Sequence, residues 1–367
     1  MAEVGGQSEA GILAAMPARV REAKRVLIIR PSALGDVCRS VPLAVSVKRA
    51  LPGARVDWLV QDTFADAVRA HPCVDGVVIF PRARLEDFHT PRGALRLMRF
   101  VRSLRAARYD VVIDAQGLFR SGFFMLASGA PVRVGYANAQ EGASLACTHR
   151  AQAPMEMHAV ERMLSLVECV GIQPVRDLRL ASPTGAFESV SRSLGLSSGA
   201  CAVIAPTSRW AAKRWPDDRF ASATEKLLDR GLIERAVVVG SGSERAQCPS
   251  VLSLCARDSR VIDAMGKTSV AQLMALIEHA QLVIANDSAA LHMAVGFDRP
   301  TVALFGPTDI NKVGPYKREH EVIQHLQPGD TLNHKDPARV EMMARISVDE
   351  VVEKATRALN EAAQRPA

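Results

Sequence analysis

Short apolar segments alternate with longer amphipathic segments along most of the chain, and this alternation is typical of repeated β–α units. The first half predicts strands at 26–30, 55–60, 76–80 and 110–114, and helices at 36–50, 62–70, 92–107 and 118–127. Strands joined by helices pair in parallel, so the pattern predicts an α/β fold.

The alternation stops near residue 150 and resumes near residue 200. A predicted helix at 156–170 leads into "GIQPVRDLRLASPTGAFESVSRSLGLSSGA" (171–200), whose Gly, Ser and Pro residues indicate a connection. The second half then predicts strands at 201–205, 235–240, 260–263, 281–285 and 300–305, and helices at 217–230, 243–255, 270–279, 288–295 and 348–362. We therefore predict two Rossmann-like parallel-sheet domains, at 25–180 and 181–345, facing each other across a cleft.

The first 24 residues carry no signal-peptide pattern, and we expect them to form a flexible cytoplasmic tail. No apolar run approaches the roughly 20 residues that a bilayer-spanning helix needs. The seven cysteines occur singly, without the spacing of a zinc site, which indicates reduced thiols and no metal.

Positive charge is concentrated in the first half of the chain. Residues 1–180 contain 24 Lys and Arg against 17 Asp and Glu, which accounts for the whole net charge of +7. Much of it lies on the predicted helix 92–107, where Arg92, Arg96, Arg99, Arg102 and Arg105 recur at helical spacing. This helix presents either a solvated arginine face or a surface that attracts an anionic membrane or acceptor. Nucleic acid is not expected, because the chain has no recognition motif.

Four loops of the second half follow predicted strands and carry groups that bind phosphate. In "VIANDSAALHMAV" (283–295) a helix start follows the strand, with Ser288 as cap or ligand and His292 on the same helix face. "VIAPTSRWAAKRWP" (203–216) adds Thr207, Ser208 and Lys213. "GSG" (240–242) and "GPT" (306–308) are weaker signals. Because carboxyl strand ends share one sheet edge, the four loops predict a nucleotide-diphosphate site.

The loop "PSALGDVCRS" (31–40) raises two interpretations of Asp36. The carboxylate either caps the helix predicted to begin there, or performs chemistry at the carboxyl end of the first strand. Five further polar residues and a glycine are expected to contact the substrate that this domain binds: Ser32, Gly35, Arg39, Asp114, Gln116 and Arg120.

The ordered set "SALGDV", "IDAQG", "KRWP", "NDS" with a following His, and "RPTVALFGPTD" resembles glycosyltransferase family 9, the ADP-heptose:lipopolysaccharide heptosyltransferases. The resemblance covers about residues 25–345 and is closest to the heptosyltransferase I type. It implies a GT-B architecture with the acceptor site in 25–180, the nucleotide-sugar site in 181–345, and the last helix (346–367) packing back toward the first domain.

The resemblance also implies the roles of individual residues. Asp36 matches the catalytic base and Lys213 the phosphate-binding lysine of a metal-independent, inverting transfer. The donor-binding positions match Thr207, Ser208, Glu244, Thr268, Asp287, Ser288 and His292. Two positions depart from the family pattern: Ala289 stands where glycine is usual, and Gln140 precedes Glu141 where an Arg-Glu pair is usual.

The predicted function is transfer of L-glycero-D-manno-heptose from ADP-heptose to a Kdo-bearing lipopolysaccharide inner-core acceptor. It requires no cofactor beyond the donor and no metal, and we expect a monomer at the cytoplasmic face of the inner membrane. Three alternatives stay open: a family 9 transferase with other substrates, a GT-B sugar-nucleotide epimerase, and a non-catalytic nucleotide-sugar binder.

Overall fold

The computed structural model describes residues 16–80, 89–196 and 201–364. These residues form two compact units, the first extending through Leu178 and the second beginning at Arg179. Within the described residues, no helix has both the length and the apolar character needed to cross a membrane.

The first unit is built on a parallel sheet with the strand order β3-β2-β1-β4-β5-β6 in the described residues. Its strands are β1 (Arg25–Ile29), β2 (Arg55–Gln61), β3 (Gly76–Phe80), β4 (Val111–Asp114), β5 (Val132–Tyr136) and β6 (His149–Ala151). Its helices are α1 (Ala18–Arg21), α2 (Leu34–Arg39), α3 (Val41–Ala50), α4 (Asp66–Arg69), α5 (Pro91–Ala106), α6 (Phe119–Ala127) and α7 (Ala159–Glu168), with 3-10 turns at Asp62–Phe64 and Ala143–Ala146.

Alternating strand residues place helices on both faces of this sheet. Leu27 and Ile29 of β1 lie in one buried cluster with Leu104 of α5 and Phe124 of α6. Helices α5 and α6 therefore cover the same face of the sheet. Helix α3 packs against α7, and the alternation of β1 places this pair on the opposite face.

The second unit repeats the architecture, with the strand order β12-β11-β10-β7-β8-β9 in the described residues. Its strands are β7 (Cys201–Ala205), β8 (Arg235–Val238), β9 (Val261–Asp263), β10 (Leu282–Asn286), β11 (Thr301–Leu304) and β12 (Val322–Ile323). Its helices are α8 (Ala186–Leu194), α9 (Asp217–Asp229), α10 (Pro249–Arg257), α11 (Val270–Glu278), α12 (Ala289–Gly296), α13 (Ile310–Val313), α14 (Glu341–Ala344) and α15 (Val348–Ala363). Short 3-10 turns lie at Ala211–Lys213, Gly242–Gln247, Glu319–Glu321 and Pro337–Arg339.

The second unit has a core formed by α9, α10, α15 and one face of its sheet. Trp215, Phe220 and Ile204 are fully buried there, and the Trp215 indole donates a hydrogen bond to the Ile346 carbonyl (3.0 Å). The last helix, α15, packs on α9 and on β10 and β11 of its own unit. The packing of this last helix back toward the first unit, which the family resemblance implies, stays a prediction.

The two-unit α/β architecture agrees with the prediction, and the differences concern individual helices and short strands. The predicted helix 36–50 is two helices, α2 and α3, separated at Ser40, and the predicted helix 62–70 is a 3-10 turn followed by α4. The strands β5, β6 and β12 were not predicted, because each is short and lacks a distinct apolar run. The connection predicted at 171–200 contains the amphipathic helix α8. In the predicted tail 1–24, residues 1–15 lie outside the described part, whereas Met16 is buried and Val20 is buried within the short helix α1.

Candidate active site

Both sheets reverse their strand order at one point, and the predicted site residues follow the strands on either side of it. In the first unit β1 and β4 are adjacent, with Ile29 paired to Asp114 at their carboxyl ends. In the second unit β7 and β10 are adjacent in the same way, with Ala205 paired to Ala285. Ligands of open parallel sheets bind at such switch points, because the loops on either side diverge there.

Asp36 lies inside α2, three residues after the observed N-cap, and not at the capping position that the sequence predicted for it. The N-cap of α2 is Ala33, without a side-chain hydrogen bond, so the interpretation of Asp36 as the cap is wrong. The Asp36 carboxylate pairs with two arginines instead: Arg30 Nη2 lies 2.7 Å from Oδ2, and Arg39 Nη2 pairs with Oδ1. Since its side chain is 29% exposed, the carboxylate is held in place and still accessible.

Arg30 is a site residue that the sequence interpretation missed. It follows β1, and its guanidinium donates one hydrogen bond to the Ala115 carbonyl after β4 while pairing with Asp36. The arginine therefore joins both sides of the switch point. The sequence did contain a signal for Arg30, because a charged residue directly follows an apolar strand there.

Asp114 closes the turn after β4 and does not line the cavity beside it. Its Oδ1 accepts hydrogen bonds from the amides of Gln116 (2.9 Å) and Gly117 (3.1 Å), and its Oδ2 accepts one from the Ser121 hydroxyl (2.8 Å). Burial raises the pKa of Asp114 to about 6, although these hydrogen bonds and Arg30 oppose the rise. Asp114 thus shapes the loop that carries Gln116.

The raised pKa of Asp114 predicts a pH-dependent stability. The folded chain binds more protons than the unfolded chain between the usual pKa of 3.8 and about 6, so the free energy of unfolding should fall as pH rises through this window. A shift of this size corresponds to about 3 kcal/mol. Urea unfolding between pH 4 and 7 should show this decline in the wild type. In Asp114→Asn most of the decline should be absent. Equal pH profiles for the two proteins would contradict the assignment.

A cavity of about 220 Å³ lies beside Asp36 at the β1–β4 switch point. Its polar lining comes from Arg30, Asp36, Gln116, Asn138, Gln140 and Arg162, and its apolar lining includes Leu118, Tyr136, Met155 and Met163. Gln116 Oε1 is buried and accepts no hydrogen bond from any described residue. The Arg162 guanidinium stacks on the Tyr136 ring, 5.4 Å from its centroid. The cavity thus offers cationic and amide groups around one accessible carboxylate.

The other predicted acceptor residues are not among those that line this cavity. Arg39 pairs with Asp36, which lines the cavity. Ser32 precedes α2 and Gly35 lies in its first turn, and both are partly buried. The Arg120 guanidinium stacks over Phe80, 5.4 Å from the ring centroid. Their contacts with substrate stay predictions.

In the second unit, Asn286 joins the loops at the β7–β10 switch point. Its Oδ1 accepts a hydrogen bond from the Trp215 amide (3.0 Å), and its Nδ2 donates one to the Pro206 carbonyl (2.7 Å). The residue is fully buried. Asn286 therefore holds the 206–215 loop against the carboxyl end of β10.

Asn286→Ala should lower the free energy of unfolding by about 2–3 kcal/mol, because it leaves a buried amide and a buried carbonyl without partners. Urea unfolding followed by tryptophan fluorescence would measure the change. The exposed helical residue Asn360 supplies the matched control, and Asn360→Ala should change stability by less than about 0.5 kcal/mol. Equal changes in the free energy of unfolding for Asn286→Ala and Asn360→Ala would show that the hydrogen bonds of Asn286 do not hold the 206–215 loop.

Lys213 and Asp287 form an ion pair between the two loops. Lys213 Nζ lies 2.5 Å from Asp287 Oδ2, and both side chains are almost buried. His334 also lies in this region: burial and the Lys213 ammonium lower its pKa, while Asp287 opposes them. Its ring packs edge-on against Trp210 at 5.9 Å. The sequence interpretation missed His334, which lies in an irregular segment without a motif.

The start of α12 has the features of an anion site. Ser288 is its N-cap but makes no side-chain capping hydrogen bond, and its buried hydroxyl has no partner among the described residues. Ala289 is the first residue of the helix, and His292 is buried one turn later. Ser208 lies beside them and donates to the Asp287 carbonyl (3.3 Å).

The loop after β8 brings Glu244 to Thr207. Glu244 Oε2 accepts hydrogen bonds from the Ser241 amide (2.9 Å) and the Thr207 hydroxyl (3.3 Å). A Cβ on Gly240 would lie 3.2 Å from Thr207 Oγ1, so glycine permits this approach. Thr268 is partly buried in the loop after β9. The ranges 16–80, 89–196 and 201–364 contain no group of three or more His, Cys, Asp or Glu side chains that could hold a metal.

Comparisons with known proteins agree with this architecture. The family model for glycosyltransferase family 9 (heptosyltransferase) matches residues 97–341. The chain is 30% identical over 301 residues to lipopolysaccharide heptosyltransferase 1 of Pseudomonas aeruginosa, covering 80% of this chain and 82% of that protein. It is 29% identical over 309 residues to the protein of the same name from Escherichia coli (strain K12), covering 82% and 93%.

A solved structure of E. coli heptosyltransferase WaaC with ADP matches with a TM-score of 0.69 at 25% identity, covering 88% of this chain and 99% of that one. The family match spans well over half of the sequence, and the sheets of both units agree with the GT-B architecture. The chain therefore belongs to glycosyltransferase family 9, the heptosyltransferase family, and is a glycosyltransferase.

Proposed function

We propose that the protein is an inverting, metal-independent heptosyltransferase that moves L-glycero-D-manno-heptose from ADP-heptose to a Kdo-bearing acceptor of the lipopolysaccharide inner core. The observation that carries the proposal is the cavity of the first unit, where the Asp36 carboxylate lies among Arg30, Arg162 and Gln116. Such a lining suits an anionic sugar whose hydroxyl must lose a proton. The relatives named lipopolysaccharide heptosyltransferase 1 support the same substrate class.

Asp36 serves as the general base in this proposal. Its carboxylate takes the proton of the acceptor hydroxyl while that oxygen bonds to the anomeric carbon of heptose. The bond from that carbon to the ADP phosphate oxygen breaks, and its electron pair leaves with ADP. A single displacement of this kind inverts the anomeric configuration. The pairs with Arg30 and Arg39 orient the carboxylate for this transfer.

The Arg30 and Arg162 guanidiniums are suited to the carboxylates of a Kdo-bearing acceptor. Arginine binds carboxylate through two parallel hydrogen bonds. Arg162 Nε is buried without a hydrogen-bond partner among the described residues, and the same holds for Gln116 Oε1. These two atoms are available to a bound sugar acid and its hydroxyls.

The second unit binds the diphosphate in this proposal. The Lys213 ammonium, the free amides at the start of α12 and the Ser288 hydroxyl neutralise the charge that develops on departing ADP. Thr207, Ser208 and Thr268 supply further hydroxyls, and the histidine donors are His292, in the helix that Ser288 caps, and His334, whose pKa responds to Lys213 and Asp287. Glu244 is assigned to the ribose end of the donor, while its contact with Thr207 orders the loop.

In this proposal the enzyme works at the cytoplasmic face of the inner membrane, because its acceptor is a lipid-linked sugar. It associates with that membrane peripherally and acts as a monomer. The excess of positive charge in the first 180 residues supports this assignment, because the acceptor and the membrane surface are both anionic.

The direct test incubates the purified protein with ADP-heptose and deacylated Kdo-bearing lipopolysaccharide, followed by mass spectrometry of the products. A product heavier by one heptose residue is expected, with the anomeric configuration inverted. Parallel reactions with other nucleotide sugars and acceptors distinguish a family 9 transferase of different specificity. ADP binding without transfer to any acceptor would favour a non-catalytic binder, and conversion of the donor alone would favour an epimerase.

A further inference from the structure

Helix α6 carries an exposed apolar stripe on the side that faces away from the sheet. Phe119, Phe123 and Leu126 recur at spacings of four and three residues and are 64%, 39% and 56% exposed. Phe124 and Met125, on the other side of the helix, are buried in the core. Apolar side chains therefore occupy both sides of α6, although only one side contacts the protein core.

The 3-10 turn Ala143–Ala146 extends this stripe. It packs on α6, where a Cβ on Gly122 would lie 3.0 Å from Ala143, and its Leu145 is 82% exposed. An exposed patch of large apolar side chains on one surface is a common mark of an interaction site.

Helix α5 places positive charge beside the stripe. It packs against α6 through Phe100 and Phe124, whose ring centroids are 5.1 Å apart. The segment from Pro91 to Tyr109 contains six arginines and no acidic residue. Leu95 and Met98 are exposed on the same helix, between exposed arginines that include Arg99 and Arg102.

The apolar stripe begins at the cavity of the first unit. Leu118 lines the cavity that contains Asp36, and the next residue is Phe119, the first member of the stripe. A molecule that spans both surfaces would therefore combine a polar group in the cavity with an apolar part along α6.

We propose that α5, α6 and the turn 143–146 together form a docking face for an anionic phospholipid bilayer. This inference rests on the proposed function, because it takes from it that the acceptor is a lipid-linked sugar. Phe119, Phe123, Leu126 and Leu145 enter the boundary between headgroups and acyl chains, and the arginines of α5 contact lipid phosphates.

The charge pattern favours a bilayer over a protein partner. A protein surface that matched this face would need many acidic groups around an apolar centre, and a second copy would bring six like charges against six. An anionic bilayer has a layer of negatively charged headgroups over an apolar layer of acyl chains, and both are present across its whole surface. Docking through this face brings the membrane surface to the edge of the cavity, where a lipid-linked acceptor sugar can enter.

Flotation of the full chain with lipid vesicles tests the docking face. The wild type should bind vesicles of equal parts phosphatidylcholine and phosphatidylglycerol, and bind vesicles of phosphatidylcholine alone weakly. The triple variant Phe119→Gln, Leu126→Gln, Leu145→Gln should lose at least about tenfold in affinity for the mixed vesicles. The double variant Arg99→Gln, Arg102→Gln should lose about as much, because each basic residue near the surface contributes to binding.

Matched controls replace exposed residues of the same types in the second unit. Leu326→Gln with Leu332→Gln changes two exposed leucines, and Arg192→Gln with Arg230→Gln removes two exposed arginines. All control and test variants should keep wild-type thermal unfolding, and the controls should keep vesicle binding. Equal vesicle binding by the wild type and the triple variant would overturn the proposal, as would self-association of the wild type that the triple variant abolishes.

Transfer assays separate this inference from the proposed function. The triple variant should transfer heptose to a deacylated acceptor at the wild-type rate and to a vesicle-embedded acceptor at a rate at least about tenfold lower. An equal rate on both acceptors would overturn the docking face while leaving heptose transfer intact. If the wild type transferred heptose to neither acceptor, the proposed function would fail, and vesicle binding would still decide whether the face docks.

Discussion

Asp36→Asn is expected to lower the rate of heptose transfer about 10³-fold, because an amide cannot take the proton of the acceptor hydroxyl. The asparagine has nearly the same size and can still accept a hydrogen bond from Arg30 or Arg39. The affinity for ADP should therefore remain near the wild-type value. Steady-state kinetics with ADP-heptose and calorimetric titration with ADP measure the two quantities separately.

The first unit offers a close structural control for this variant. Asp66 lies in the first turn of α4 and pairs with Arg69 three residues later (3.2 Å), just as Asp36 pairs with Arg39 in the first turn of α2. Asp66→Asn should leave transfer unchanged, since this pair is exposed and is not part of the lining of the cavity beside Asp36. Transfer by Asp36→Asn within about tenfold of the wild type would rule out general-base catalysis by Asp36.

Lys213→Met should weaken ADP binding by about 10- to 100-fold, because it removes the charge-assisted contact proposed between this ammonium and the diphosphate. It should also lower the free energy of unfolding by about 2–3 kcal/mol, since it leaves the nearly buried Asp287 carboxylate without its cation. Calorimetric titration with ADP and urea unfolding followed by tryptophan fluorescence measure the two effects. Trp210 and Trp215 lie in the loop next to Lys213 and report on this unit.

A second substitution separates the two roles of Lys213. The double variant Lys213→Met, Asp287→Asn should recover most of the lost stability, because no unpaired carboxylate remains, while ADP binding stays weak. Lys226, which pairs with Asp349 at 2.8 Å on the surface of the same unit, is the control. Lys226→Met should change stability by less than about 0.5 kcal/mol and leave ADP binding intact. Wild-type ADP affinity in Lys213→Met would remove Lys213 from the donor site.

Local sequence patterns predicted the long elements well. The strands β1, β2, β3, β7 and β10 have distinct apolar runs, and each observed bound lies within one residue of the predicted one. The start of α2 was less predictable: the helix begins at Leu34, so Asp36 lies within the helix and not at its cap. A glycine before an acid is compatible with both arrangements, and only the contacts of the folded chain distinguish them.

Contacts between residues far apart in sequence were not predictable from local patterns. Asn286 joins residues 206 and 215, and the side chain of Arg30 reaches the carbonyl of residue 115. The His334 ring lies against Trp210 in a segment of irregular structure. The contacts of Asn286 and Arg30 depend on parallel strand pairing, which brings together loops that are tens of residues apart along the chain.

The exposure of α6 was equally inaccessible to a pattern analysis. Phe119, Phe123 and Leu126 have the spacing of a core-facing helix stripe, yet Phe124 and Met125 occupy the core instead. An apolar helix has no sequence feature that specifies which of its sides meets the sheet.

The amino-acid sequence alone was enough to establish the α/β class, the division into two parallel-sheet units and the loops at which polar groups collect, because apolar periodicity and turn residues are local properties. The tertiary structure decided how those groups are used. It surrounds Asp36 with Arg30 and Arg39, buries Asp114 and exposes an apolar side of α6. Charge pairing, burial and exposure depend on which distant segments pack together, and that is settled only when the sheets form.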